Sequence, residues 1–197
     1  MINNYKEGIM KKIFLVLLVV LFITTSSTVF AAEKVPLGMG NLAVKTDWIK
    51  FTDLPRANSA FYIGLEGYGA IAENWYLGME SGYAKPQGTI MGYDRKMTYV
   101  PIELNIKYAA LVAQNVALDI GGGVSYTYNK WVWSGSTLPE TRDDKWLFGG
   151  QFFADLNFTY NQFFAGISGK YQITQEYKRF DYNANNLRLG GQIGIMF

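Results

Sequence analysis

The chain of 197 residues carries 18 Lys and Arg against 16 Asp and Glu, a formal charge of +2, and it contains no cysteine and no histidine. Disulfides and thiolate metal sites are therefore excluded, and the commonest general base and metal ligand is missing. The 21 glycines and the 16% aromatic content describe a β-rich chain, with no linker or low-complexity run to divide it.

At the start, Lys11 and Lys12 precede an apolar run over residues 13–23, a short polar stretch and Val29-Phe30-Ala31. This order predicts a secretory signal peptide over 1–31, cleaved after Ala31. An apolar run of about 11 residues falls short of the roughly 20 that a spanning helix needs. Lys6-Glu7-Gly8 can be encoded by a ribosome-binding sequence, so Met10 is the expected initiator. Residues 1–31 hold three of the 18 basic residues (Lys6, Lys11, Lys12) and one of the 16 acidic ones (Glu7), which leaves 15 of each in 32–197. The net charge thus belongs to the targeting segment, and no basic footprint for nucleic acid remains.

Residues 32–197 read as one domain with eight segments of period-2 patterning: 40–51, 59–71, 75–86, 97–110, 116–133, 144–160, 163–178 and 187–197. The first has the poorest alternation. Connections alternate in length. Those at 72–74, 111–115 and 161–162 are short; those at 52–58, 87–96, 134–143 and 179–186 are longer. One face is oily and bulky, for example Phe61, Ile63 and Leu65, Ile102, Leu104 and Ile106, or Phe148, Phe152 and Phe158. The other is small and charged, for example Gly64 and Glu66, Glu103, Asn105 and Lys107, or Arg188, Gly190 and Gln192.

Periodicity does not say which face points outward, and a soluble lipocalin-like barrel with an oily interior is the rival. Volume decides. The interior of an eight-stranded barrel is just wide enough for side chains to fill, and the oily face carries too many large rings for it. With that face outward, Trp48, Trp75, Tyr83, Tyr108, Tyr128, Trp146, Tyr160, Phe163 and Tyr177 fall near strand ends, where interfacial aromatic girdles belong. The prediction is an all-β, eight-stranded antiparallel up-and-down transmembrane barrel.

In the last segment Leu187, Leu189, Ile193, Ile195 and Phe197 share one face. With the signal peptide and the strand count, it resembles the small bacterial outer-membrane barrels of the porin-like superfamily: the OmpA membrane domain, OmpX and the opacity-type proteins. The resemblance implies that Phe197 is an assembly signal read by the barrel-assembly machinery, that the termini are periplasmic and that the longer loops are extracellular. Enzymes built on such barrels, among them the lipid A deacylase, the lipid A palmitoyltransferase and the omptin proteases, rely on a histidine that this chain lacks. No enzymatic activity and no cofactor is expected.

Ten charged residues are assigned to the interior: Glu66, Glu80, Glu103, Lys107, Asp119, Lys145, Asp155, Lys170, Glu176 and Arg188. Charges removed from water are tolerated mainly when paired, so they are expected to form a network that plugs the lumen. The alternative is a narrow channel for small solutes. Lys50, Arg56, Lys85, Arg95, Lys96, Lys130, Arg142, Lys178 and Arg179 fall at the longer-loop ends, where a basic rim would suit outer-membrane lipid and lipopolysaccharide phosphates. Gly121-Gly122-Gly123 lacks the lysine and helix of a phosphate-binding loop and reads as a bulge or a close approach. Glu140, Asp143 and Asp144 read as a solvated acidic loop in preference to a cation site. The surface partner is not legible.

Overall fold

The computed structural model describes residues 36–53, 58–90, 93–134, 141–176 and 182–197. The expected signal peptide, Met10, Arg56, Glu140, Tyr177, Lys178 and Arg179 lie outside them. Nine antiparallel strands are present among the described residues: β1 (Gly40–Phe51), β2 (Ser59–Ala72), β3 (Trp75–Ala84), β4 (Gln87–Ile90), β5 (Tyr93–Ala113), β6 (Val116–Ser134), β7 (Thr141–Tyr160), β8 (Phe163–Thr174) and β9 (Asn186–Met196). Along the ring each strand pairs with its neighbours in sequence, except that β3 pairs with β5, and β1 pairs with β9. Eight strands thus close into a ring. The ninth, β4, pairs only with β5 and extends the sheet at one end. Closure leaves no unpaired edge along the ring, a condition that hydrocarbon imposes on any spanning sheet.

The seam between β1 and β9 runs in register from Asn41 opposite Met196 to Phe51 opposite Asn186. It ends in a reciprocal pair in which Gly40 N donates to Phe197 O (2.8 Å) and Phe197 N donates to Gly40 O (2.9 Å). With no Cβ, Gly40 leaves the space that the Phe197 ring occupies.

At one end the hairpins turn on two residues each: Glu73-Asn74, Gln114-Asn115 and Asn161-Gln162. Asn74 (φ 62°) and Asn161 (φ 52°) take the left-handed conformation that tight hairpin turns require and that Asn tolerates better than most residues. The opposite, loop end departs from expectation. Residues 87–96 are mostly strand and not a loop, because Lys85-Pro86 interrupts the third segment and the chain then re-pairs as β4 with the start of β5. Proline cannot donate to a ladder, yet Pro86 O still accepts from Met97 N at 2.9 Å. The seventh segment stops at Thr174, short of 178. There Asn185 Oδ1 accepts from Thr174 N (2.7 Å) and Thr174 Oγ1 accepts from Ala184 N (2.8 Å), so side chains take over from the ladder.

Alternation along the strands sets the two faces. Phe61, Ile63, Leu104, Ile106, Ile120, Phe148, Phe152, Phe158, Leu189, Ile193 and Phe197 are exposed on the outer wall, as the volume argument requires and contrary to the lipocalin-like rival. Aromatic contacts lie near its ends: Trp75 against Tyr108, Trp48 against Phe61, and Trp146 stacked on Tyr126. Among the described residues no helix is long and apolar enough to cross a membrane.

The interior is more aromatic than the sequence suggested. At the loop end Phe51, Tyr62, Met97, Tyr99, Trp131, Leu147 and Tyr182 form one buried layer; at the turn end Leu37, Tyr68, Tyr76 and Phe153 form another. Inward glycines make room for these rings. A Cβ on Gly82 or Gly64 would collide with Tyr62, one on Gly78 with Tyr68, and one on Gly121 with Phe153. The Gly121-Gly122-Gly123 run stays in register with both neighbours, so it is a close approach and not a bulge.

Leu104 is 44% exposed on the outer wall. Leu104→Arg should destabilise the barrel in lipid by about 2 to 4 kcal/mol, whereas Leu104→Phe should be nearly neutral. Equilibrium unfolding from vesicles checks the order of the two effects.

Candidate functional site

Between the two aromatic layers lies a band of buried charge. Eight of the ten residues assigned to the interior are there and at most 3% exposed: Glu66, Glu80, Glu103, Lys107, Asp119, Asp155, Lys170 and Arg188. Lys145 and Glu176 are not. Alternation puts Lys145 opposite inward-facing Asn129, but at the loop end, where it is exposed to solvent; Glu176 lies past the end of β8 and is also exposed. Two members escaped the sequence reading, Lys45 and Asp47 on β1, at 1% and 2% exposure.

Strand register sets like charges side by side. Glu66 is directly opposite Glu80, Glu80 opposite Glu103, Asp119 opposite Asp155, and Lys170 opposite Arg188. Each such pairing is destabilising by itself, and the compensation comes from elsewhere in the ring. Arg188 on β9 and Glu103 on β5 are four strands apart in the closed order (β9, β1, β2, β3, β5), so they stand on opposite walls. Arg188 Nη1 donates to Glu80 Oε1 at 2.7 Å and its Nη2 to Glu103 Oε1; Lys170 Nζ donates to Glu103 Oε2 at 2.6 Å and to Glu80 Oε2. Two acids and two bases thus form a four-membered knot across the lumen.

A second group lies beside it. Lys45 Nζ is 3.4 Å from Glu66 Oε2, 3.6 Å from Asp155 Oδ1 and 3.9 Å from Glu80 Oε2. Lys107 Nζ donates to Asp119 Oδ2 at 2.8 Å. Neutral donors bind the network to the wall: Tyr62 OH to Glu80 (2.9 Å), Ser168 Oγ to Asp47 (2.9 Å), Asn157 Nδ2 to Asp119 (3.2 Å) and Gln192 Nε2 to Asn157 (2.7 Å). The rings of the two layers also face the cations. Lys107 Nζ is 4.0 Å from the Tyr68 ring centroid, the Arg188 guanidinium 4.5 Å from that of Tyr62, and Lys170 Nζ 5.0 Å from that of Phe153. Desolvated cations gain most from such faces.

At the loop end, Lys50, Lys85, Lys96 and Arg142 lie at the surface, with Lys130 half-buried. Arg95 differs from them. Its guanidinium stacks on Trp131 at 4.3 Å and sits 6.0 Å from Trp133, so it packs against the loop-end aromatic layer. Among the described residues no group of three or more Asp or Glu side chains is arranged to hold a metal ion.

A closed eight-strand ring with an oily outside and a charged inside is the architecture of small outer-membrane β-barrel proteins, and solved structures agree. Neisserial surface protein A superposes with a TM-score of 0.60 at 11% identity, covering 81% of this chain and 98% of that one. A major outer membrane protein from Thermus thermophilus gives 0.60 at 10% identity, covering 80% and 99%. Ail, the attachment invasion locus protein of Yersinia pestis, gives 0.53 at 12%, covering 80% and 99%. At these identities the likeness is one of fold. No family model and no curated protein sequence matches the chain.

Removing Arg188 from the knot leaves two facing glutamates to share Lys170 as the one cation of the knot that remains. Arg188→Met should therefore cost about 3 to 5 kcal/mol, and adding Glu103→Gln should recover part of the loss. A double-mutant cycle on unfolding free energy measures the coupling, and additive effects would show that the two side chains act independently.

Proposed function

We propose that this chain is a non-enzymatic integral outer-membrane barrel protein that serves envelope structure or surface interaction, with its lumen closed by charge pairs. One observation carries the reading: the Arg188–Glu80–Glu103–Lys170 knot ties opposite walls together between two aromatic layers, at the height where a pore would need water. The solved structures with this fold support the location and the role, since one is a surface protein, one a major outer membrane protein and one an attachment protein. The near balance of acids and bases, with no basic face, argues against a nucleic-acid partner.

The partners in this reading are outer-membrane lipid, lipopolysaccharide and, during biogenesis, the barrel-assembly machinery. Exposed Lys50, Lys85, Lys96 and Arg142 with half-buried Lys130 stand at the loop end, taken here as extracellular, where lipid phosphates would lie. Arg95 is withdrawn from that role by its Trp131 stack. Phe197 closes the seam through its backbone while its ring stays exposed, so it can serve as both closing pair and recognition element.

Single-channel recording of the refolded barrel in planar bilayers tests closure. Wild type should pass little steady current, and Lys107→Met, which strips Asp119 of its 2.8 Å partner, should raise conductance. Steady wild-type currents of porin size, unchanged by that substitution, would favour the channel alternative instead. In cells, deleting Phe197 should reduce the amount of folded barrel in the outer-membrane fraction, as read by heat-dependent gel mobility. Undiminished assembly would remove its signalling role.

A further inference from the structure

The buried band does not balance. Among the described residues Asp47, Glu66, Glu80, Glu103, Asp119 and Asp155 are six buried acids, and Lys45, Lys107, Lys170 and Arg188 are four buried bases, so when fully ionised they would hold a formal charge of −2. Two uncompensated charges at this depth are far too costly for a fold of ordinary stability. The oxygens without hydrogen-bond partners indicate where half of the difference is made up. Both carboxylate oxygens of Asp155 and Oδ1 of Asp119 accept no hydrogen bond, and these two residues lie directly opposite each other on β7 and β6. Side chains so placed have Cβ atoms about 5 Å apart, which lets their carboxyl groups meet.

We propose that Asp119 and Asp155 share one proton, as a carboxyl–carboxylate pair in which the Asp155 hydroxyl donates to Asp119 Oδ1. The proton comes from bulk water during folding and returns to it on unfolding. A single proton then removes one excess charge and gives partners to an unpartnered oxygen on each side chain, which no rearrangement of the existing bases can do. Lys107 is already committed to Asp119 Oδ2 at 2.8 Å, and Lys45 is divided among Glu66, Asp155 and Glu80. The charged and titratable groups facing the pair are Lys45 from β1, Glu66 and Tyr68 from β2, Tyr76 from β3, Lys107 from β5 and Lys170 from β8. β9 contributes neutral Gln192, which reaches Asn157 beside Asp119. One acid, Glu66, and three bases, Lys45, Lys107 and Lys170, therefore face a pair that carries one negative charge once the proton is in place. The inference rests on the closed-lumen reading and makes the closure dependent on pH.

The sign follows from proton counting. The folded barrel keeps a proton that the unfolded carboxyl groups release near pH 4, so the unfolded state binds fewer protons and stability falls as pH rises. Equilibrium unfolding of the refolded mature chain in detergent, from about pH 5 to about pH 9, should show the folding constant falling about tenfold per pH unit for each retained proton. Asp155→Asn should make that dependence shallower by one proton and leave the variant more stable than wild type at the alkaline end. It should also remove a protonated-carboxyl band from the infrared spectrum near neutral pH. Asp119→Asn serves as the second variant if the first does not fold, with the same two readouts expected. Identical pH slopes and bands in wild type and variant would overturn the shared proton. So would a wild-type stability that climbs with sodium or potassium at fixed pH without such a band, since a bound cation would then supply the charge. Conductance separates this result from the reading beneath it: porin-size wild-type currents with the pH slope and band intact would end the closed lumen and leave the proton in place.

Discussion

Attraction across the lumen is the interaction on which this barrel depends. Along the wall, register brings carboxylate against carboxylate over β2, β3 and β5, and cation against cation over β8 and β9. Neither wall is acceptable alone. Only when the ring closes do Arg188 and Lys170 meet Glu80 and Glu103, and the low dielectric that makes burial costly then strengthens the attraction. A buried ion pair is weak evidence for stability, because well-packed apolar residues often do as well. Here the arrangement buys definition of shape: the acids and bases fix which strands face each other and at what height.

The aromatic layers and the glycines follow from the same confinement. An interior of this width cannot take a large side chain from every strand. Where Tyr62, Tyr68 and Phe153 lie across it, their neighbours are reduced to hydrogen at Gly64, Gly82, Gly78 and Gly121. The rings lie at both ends of the charged band and present their faces to its cations. Small and large residues therefore alternate around the inside as they do in a packed core.

Much of this was legible in the sequence. Alternation in the strands from Ser59 onward located both faces, and interior volume chose between them. The first strand misled because its faces exchange character: the inward side runs Asn41, Lys45, Asp47 and then turns apolar at Ile49 and Phe51, while the outward side ends on Lys50. The reason is the aromatic layer at the loop end, a tertiary feature that a period-2 reading of one strand does not contain. The i, i+2 spacing of Lys45 and Asp47 was the available signal, and it was outweighed by that change. Lys145 and Glu176 failed for the converse reason, since parity names a face and not a depth. Cross-lumen partners could not be read at all, because closure alone brings residues such as Glu80 and Arg188 together over a separation of 108 positions.

That separation has a consequence for how the barrel forms. Local hairpins from β2 to β8 can assemble from neighbouring segments at little cost in chain entropy, but the β1–β9 seam joins the two extremes of the described sheet and must be made at the greatest loop-closure cost. The strands at that seam carry Lys45 and Arg188, half of the buried cations. A curled but open sheet would therefore have an acid-rich wall with part of its counter-charge held at a free edge. Electrostatic relief arrives in one step with the last row of backbone hydrogen bonds, which gives the final closure a steep, all-or-none character and penalises any seam that is shifted in register.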